Sequence, residues 1–477
     1  AMLLYNQDEL VNNVPGNNLI NSLPKRKQGL AGRLSYAYDG KYMAEVNMGY
    51  NGSENFAKGH RWGFFPSIAL GYNISEESFF EPLRKVITSM KLRGSWGLVG
   101  NDQIGGERFI YMPTINLSGK GFTTGIDQNY GLSGPVYTRY ENNSITWEVG
   151  EKINLGIDLQ LLNSLNIVVD IFRETRRDIF QKKGTIPTYL GTGNTDVFGN
   201  LAEMKNQGLD LSIDYNKAFS KDFYMNFKGT FTYAHNEITK YDEAPKYAFQ
   251  SKVGQSANVS QGYLSNGLFL DEAEIDRYNQ QMGSTLGAGD IKYLNVSNMH
   301  GYGDDIVDVD DWTWIGNPTV PEIVYGFGPS FKYKNWDFSF FFQGVAKTSL
   351  FMSGFHPFGD NSLRNVLQFV ANDRWSPTNQ NVDAKYPRLT RKTSLNNTNP
   401  GNSGRTSDYW MRDGSFLKLK NMELGYTFKR MRFYISGSNL LTFSKFDLWD
   451  PEQGGGSGLK YPTQRVFNVG FQMTFNN

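Results

Sequence analysis

Apolar residues in this chain fall repeatedly on alternate positions. The stretch RVFNVGFQMTF, residues 465–475, places Phe467, Val469, Phe471, Met473 and Phe475 on one parity and Val466, Asn468, Gly470, Gln472 and Thr474 on the other. A strand sends successive side chains to opposite faces, so one face of this segment is a row of large apolar groups and the other is mostly small or polar. KINLGIDLQLL alternates Ile153, Leu155, Ile157, Leu159 and Leu161 with Asn154, Gly156, Asp158 and Gln160. FYMNFKGTFTY, GLDLSIDYN, NWDFSFFFQG, YMAEVNMGY and FYISGSNLLTF follow the same rule. In FLKLKNMELGYTF the phase slips after Leu417 and Leu419 to Met422, Leu424, Tyr426 and Phe428, which predicts a β-bulge near Lys420–Asn421.

The pattern predicts about 14 strands, roughly 1–10, 27–38, 40–51, 61–74, 87–99, 145–161, 163–179, 205–217, 221–236, 319–334, 336–350, 409–428, 431–445 and 465–475. Their connections alternate in length. Asp39–Gly40, Asn163–Ser164, Ala218–Ser220, Asn335 and Lys429–Arg430 mark tight turns, whereas 100–144, 180–204, 237–318, 351–408 and 446–464 are long. SEESFFEPLRKV, near 75–86, suggests a short helix. Short turns at one end and long loops at the other are the layout of an outer-membrane barrel. A strand of about 11 residues at ~3.3 Å rise, tilted by about 40°, spans roughly 25–28 Å, the height of the apolar band of such barrels. The expected fold class is therefore all-β, a transmembrane antiparallel β-barrel. Trp62, Trp147, Trp336, Tyr409, Trp410 and Tyr426, near strand ends, are expected to form interfacial girdles.

Composition fits this picture. Mean hydropathy is −0.49, as expected where only every second residue of a strand meets lipid. Aromatics make up 15% of the chain and glycines number 51, which favours strands and turns. Lys+Arg of 48 against Asp+Glu of 47 argues against nucleic acid as a partner. With no cysteine, thiolate chemistry and disulfides are excluded. No run approaches 18 apolar residues, and AMLLYNQDEL has neither the basic nor the apolar region of a signal peptide.

Several blocks resemble the C-terminal barrel of the SusC/RagA family of TonB-dependent outer-membrane transporters. They include residues 22–72, MKLRGSWGLVGN (90–101), ITWEVGEKINLGIDLQLLN (145–163), NQGLDLSIDY (206–215) and IGNPTVPEIVYGFGPSFKYKNWDFSFFFQG (315–344). DRWSPTNQNVDAKYPRL (373–389), DYWMRDGSFLKLKNMELGYTF (408–428) and YISGSNLLTFSKFDLWDPE (434–452) continue the likeness in the family's order. The resemblance implies that residues 1–477 are the C-terminal part of a barrel of about 22 strands. The signal peptide, TonB-interacting segment and plug domain would then belong to an N-terminal half outside this chain. It further implies the outer membrane of a Gram-negative bacterium, a SusD-like surface lipoprotein as partner, and TonB-driven import of oligosaccharides or peptides. Two other readings stay open: a complete 14-stranded passive channel, and a soluble β-rich carbohydrate-binding protein.

One loop carries candidate metal chemistry. HGYGDDIVDVDDWTWIG (300–316) resembles the family's acidic loop and, more distantly, a D-x-[DN]-x-[DN]-G calcium loop. In that alignment Asp304, Asp308 and Asp311 take the fifth, ninth and twelfth positions, so a structural Ca²⁺ is the candidate cofactor. His300 and Tyr302 stand where oxygen ligands belong, and Asp305 replaces the turn glycine, so a solvated acidic loop is the competing reading. No enzyme is expected: His60, His235, His300 and His356 show no catalytic or metal-ligand spacing, and no phosphate-cradling glycine motif occurs. Trp312, Trp314, Phe355 and Trp375 are candidates either to stack on a sugar or to pack a loop.

Overall fold

The computed structural model describes residues 1–11, 22–104, 108–187, 189, 196–278, 280–281, 286–354, 365–390 and 406–475. Its main element is a 14-stranded antiparallel sheet. The strands are β1 (Met2–Leu10), β2 (Lys25–Tyr38), β3 (Tyr42–Ser53), β4 (Trp62–Asn73), β5 (Ile87–Asn101), β6 (Glu148–Leu161), β7 (Leu165–Lys182), β8 (Phe198–Ala218), β9 (Phe223–Lys240), β10 (Ile323–Tyr333), β11 (Trp336–Ala346), β12 (Phe416–Phe428), β13 (Met431–Ser444) and β14 (Val466–Met473). Each lies beside its neighbours in sequence, with β1 and β14 at the ends of the order. No helix among the described residues is long and apolar enough to cross a membrane.

The tight turns lie where the pattern breaks. Lys41 N donates to Tyr38 O at 3.0 Å around Asp39 (φ 52°) and Gly40 (φ 64°). Ser164 N donates to Leu161 O at 3.0 Å around Leu162 (φ 51°) and Asn163 (φ 54°). Two successive left-handed residues match the right-handed twist of the flanking strands, which is why Asp, Asn and Gly recur here. The bulge also lies where the phase slips: Phe341 pairs with Asn421 and Phe342 with Leu419, leaving Lys420 outside the register. The opposite neighbour shifts at the same step, between Leu419 and Asn421.

The chain divides into two compact units, 1–212 with 234–244 and 252–255, and 213–233 with 245–251 and 256–477. In the first, cross-strand register joins Leu34, Val46, Ile68, Trp96 and Ile153 in one outward row. All five are exposed. A small core caps the long-loop side, where Phe56, Ile104, Ile110, Ile145 and Trp147 pack with Phe65 and Phe180. Phe65 reaches it by lying across Gly100, where a Cβ would come within 1.9 Å of its ring. Residues 100–144, expected to be loop, contain a hairpin of Thr114–Thr124 and Tyr130–Arg139. Its register shifts three times, and that irregularity hid it from alternation. The stretch SEESFFEPLRKV forms 3₁₀ turns at Ile74–Glu76 and Ser78–Leu83.

In the second unit the outward row holds Met225, Phe331, Phe338 and Leu424, paired strand to strand. Ile435 continues it opposite Leu424, followed by Val469. The loops of this unit form a folded body with its own core: Tyr263, Leu268, Ile291, Tyr293, Val307, Leu350, Met352, Val370, Trp375, Tyr386, Trp410 and Phe446 are buried together. Short pairings stitch it, Ser260–Gly262 to Thr313–Ile315, Ser265–Leu268 to Ile291–Tyr293, and Ser349–Phe351 to Met411–Asp413.

This corrects part of the girdle expectation. Trp62 and Trp336 are exposed, and Tyr426 packs its ring 4.7 Å from Trp336. Trp147, however, belongs to the small core of the first unit and Trp410 is fully buried in the loop body, with Tyr409 packed beside it. The segment containing Tyr409 and Trp410 folds as a 3₁₀ turn, Asp408–Trp410, so β12 begins only at Phe416.

Candidate functional site

A barrel wall acts through its inward face, which here is built from the polar parity of the strands. In the first unit Arg93 is paired across Gly156 with Asp170. Its guanidinium donates to Asp158 Oδ1 at 2.8 Å and to Asp170 Oδ2 at 3.0 Å. A Cβ on Gly156 would sit 2.5 Å from Asp170 Oδ1 and 2.8 Å from Arg93 Nη2, so the glycine leaves the space in which the ions meet. Arg33 adds a second inward pair with Glu45 at 2.5 Å. A hollow of about 590 Å³ opens over this face beside Ser35, Glu45, Gly71, Arg93, Ser95 and Asn154.

The second unit repeats the device. Arg432 donates from Nε to Asp337 at 3.0 Å and from Nη2 to Glu423 at 2.5 Å. Gly425, paired with Asp337, lies beneath, and a Cβ there would meet Asp337 and Arg432 at 2.6 Å. Arg–carboxylate pairs of this bidentate kind fix geometry as well as charge. Next to it lies a hollow of about 510 Å³ lined by Asn226, Ser330, Ser339, Asn421, Ser438 and Asn468 among others. Hydroxyl and amide groups can hold polar solutes through weak hydrogen bonds.

The loop body is held by charges buried inside it. Asp290, fully buried, is paired with Arg388, whose Nη2 donates to Asp290 Oδ2 at 3.1 Å. Lys418, 1% exposed, is paired with Asp450 and with Glu452 Oε2 at 2.8 Å. Burial pushes the Asp450 and Glu452 carboxyls up, but hydrogen bonds from the Lys418 ammonium to both, joined at Glu452 by Lys420, hold them below the usual carboxylate range. Tyr386 is pushed up to about 12 by burial, and Tyr409 is driven further in the same direction. Burial lowers Arg412, whose Nη1 donates to the Tyr409 and Met411 carbonyls at 2.8 Å.

The three candidate metal ligands have distinct local tasks. Asp311, fully buried, accepts from Ser297 N at 2.9 Å and from Asp308 N at 2.8 Å. Asp308 in turn accepts from Asp310 N at 2.8 Å, completing a reciprocal cap on the 3₁₀ turn Val309–Asp311. Asp304 accepts from Asn295 Nδ2 at 3.1 Å and from Ile306 N at 3.3 Å. Burial raises the Asp311 carboxyl despite its two N–H donors. Asp308 and Asp311 are thus brought together, and Asp304 meets them through Ser297, whose Oγ donates to Asp304 Oδ1 at 3.5 Å while its N–H donates to Asp311. Among the described residues no three His, Cys, Asp or Glu groups gather in a metal-holding cluster. His300 stacks on Phe249 at 4.6 Å, and Tyr302 packs at a tilt on Tyr247 at 4.3 Å. Trp375 is buried, Trp314 donates to Ser251 O at 2.8 Å, and Trp312 stands partly exposed. Phe355 and His356 lie outside the described residues.

Sequence reasoning missed Arg93, Arg432, Lys418, Asp290 and Arg388. A charge on the inward parity of a strand next to a glycine on its neighbour was the available signal for the first two. The other three pair with residues distant in sequence, and no local pattern marks them.

An antiparallel sheet with an apolar outward parity, a polar, charge-bridged inward parity and long folded loops at one end defines the wall of an outer-membrane β-barrel. The family model "TonB dependent receptor-like, beta-barrel" matches residues 4–440, and the chain belongs to that family. It is 28% identical to the TonB-dependent receptor SusC of Bacteroides thetaiotaomicron over 93% of this chain and 43% of that protein. It is 27% identical to the TonB-dependent receptor P3 of Formosa agariphila over 93% of this chain and 45% of that one. The chain thus spans less than half the length of these curated relatives. In three dimensions it resembles the RagAB peptide transporter with a TM-score of 0.68 at 20% identity, over 95% of this chain and 48% of that one. The likeness supports the fold. The chain is an outer-membrane β-barrel component, and its relatives are named as receptors rather than enzymes.

Proposed function

We propose that this chain forms wall and loops of a SusC-type TonB-dependent importer, and that it is the C-terminal part of a barrel of about 22 strands. The observation that carries this reading is the pairing, within one chain of this family, of a polar inward wall with loops that enclose a core of their own. The wall gives large polar cargo a path of weak contacts, and the loop body gives a surface lipoprotein of the SusD kind a rigid face. A plug and a TonB-interacting segment, supplied by the rest of the protein, would couple passage to energy from the inner membrane. The cargo is an oligosaccharide or a peptide too large for a simple pore.

The test is uptake by cells carrying the full-length protein, with and without a working TonB complex, combined with mass spectrometry of the complex isolated in mild detergent. Import should stop without TonB, and a lipoprotein and a glycan or peptide should co-purify. Import that persists without TonB would instead make the protein a passive channel.

A further inference from the structure

At the tight-turn end of the first unit, the connection 74–86 differs from the turns at Asp39–Gly40 and Leu162–Asn163. It is an ordered strap. Glu77 N donates to Ile74 O at 3.1 Å, Phe80 N to Glu77 O at 3.1 Å and Val86 N to Leu83 O at 2.9 Å. Arg84 Nε donates to Ser75 O at 2.8 Å and ties the far end back to the start. Short turns mark the periplasmic end of an outer-membrane barrel, so the strap lies at the level of the periplasmic leaflet.

One carboxylate fixes the side of the wall on which it lies. Tyr38, Tyr42 and Tyr72 pair strand to strand, four residues along from the outward row of Leu34, Val46 and Ile68, and so share its parity. Tyr42 and Tyr72 stack with ring centroids 5.1 Å apart. Both hydroxyls donate to Glu77 Oε1, at 2.6 Å and 3.4 Å. Glu77 therefore sits on the lipid side of the wall, where tyrosines meet headgroups.

Beyond Glu77 the strap leaves large apolar groups uncovered. Phe79 is 69% exposed, Leu83 51% and Val86 56%, whereas Phe80 is buried. Arg84 and Lys85 are exposed beside them. In water such exposure is unfavourable. Aromatic and aliphatic groups beside basic ones suit the boundary between headgroups and acyl chains.

We infer that residues 74–86 form a membrane-binding foot, clamped to the wall by Tyr42 and Tyr72 through Glu77, with Phe79 inserted among the phospholipids of the periplasmic leaflet. The two hydroxyls and the carboxylate set its depth, and Leu83 and Val86 extend the contact. Lipid is the occupant because Glu77 joins the strap directly to a face that already meets lipid. The foot faces lipid rather than lumen, so it is independent of the transport reading.

The experiment uses the full-length receptor in nanodiscs of phosphatidylethanolamine and phosphatidylglycerol. This chain has no cysteine. With any cysteine elsewhere in the receptor replaced, Phe79→Cys and the control Asp39→Cys each carry one fluorescent label. Heat-modifiable migration on a gel checks that each variant is folded. Nitroxide lipids should quench the label at 79 about threefold more than at 39, and aqueous iodide should quench it about threefold less. Adding Tyr42→Phe/Tyr72→Phe, which keeps both rings and removes the clamp, should lower the lipid quenching at 79. Equal access of iodide to the two sites overturns the inference. Shielding of residue 79 from both quenchers also overturns it, because protein would then cover Phe79. Unchanged lipid quenching in the folded tyrosine variant overturns the clamp on which the inference rests.

Discussion

Within the second unit, the strands β10 to β14 and the loop body solve the problem of burial in opposite ways. The strands keep large apolar groups on the surface: Phe433, Ile435, Phe467, Val469 and Phe471 are all exposed. The loops enclose Trp410, Tyr263, Tyr293 and Tyr386 almost completely. The wall leaves its apolar face to lipid and satisfies its backbone through the strand ladder, as the hydrocarbon region demands. The loops stand in water and need a core of the soluble kind, with close packing and paired charges. One chain thus obeys two opposite rules for where apolar residues belong, and solvent decides which applies.

The strongest way to break this comparison is to open the loop core. Trp410→Ala should cost about 3–5 kcal/mol locally, the range for deleting a buried large aromatic side chain. Limited proteolysis should then cut the loops while the wall keeps its heat-modifiable migration. Loss of both together would mean that the loop body and the wall form one cooperative unit.

Phe471→Lys attacks the other side. Phe471 packs on Phe433 with ring centroids 5.1 Å apart on the outward face. A Lys near the bilayer midplane costs roughly 2–4 kcal/mol, so outer-membrane yield should fall. Normal yield would show that Phe471 does not meet lipid.

Asp311→Ala tests the acidic loop. It leaves the Ser297 and Asp308 N–H groups without their acceptor, a loss of about 1–3 kcal/mol. Hydrogen exchange at 296–311 should quicken whether or not calcium is added. Protection restored in the wild type by calcium alone would favour the cation reading of this loop.

The smallest effect is electrostatic. Asp450 and Glu452 are held below the usual carboxylate range, so folding favours their ionised forms. Their contribution is present above the ordinary carboxylate pKa of ~4 and is lost as pH falls through the lowered values. Cleavage of the 446–464 loop by an acid protease should therefore increase as pH drops below about 4. The Lys418→Met variant should show a smaller step, since Asp450 has lost its buried cation and Glu452 keeps only Lys420.

How much was legible in the sequence follows the same division. All 14 strands of the sheet, the bulge at Lys420 and the tight turns could be read from alternation. In a wall, each residue's face is set by its parity and its neighbours in sequence. Trp410 and Trp147 misled because an aromatic near a strand end looks the same whether it meets lipid headgroups or a loop core. The Thr114–Thr124 hairpin escaped because repeated register shifts erased its period. Of the candidate site, Asp308 and Asp311 were found as neighbours, but their reciprocal cap depends on backbone geometry that spacing does not show.

The sequence by itself determined the wall: a period of two, an apolar parity and an alternation of short and long connections suffice, because strand neighbours in the sheet are neighbours in the chain. Only the tertiary structure decided which charges meet. Asp290 finds Arg388, and Lys418 finds Asp450, across long intervals of chain. Arg432 reaches Asp337 over the space that Gly425 leaves. Those pairings arise from how loops and strands pack, and packing is a property of the whole fold rather than of any local pattern.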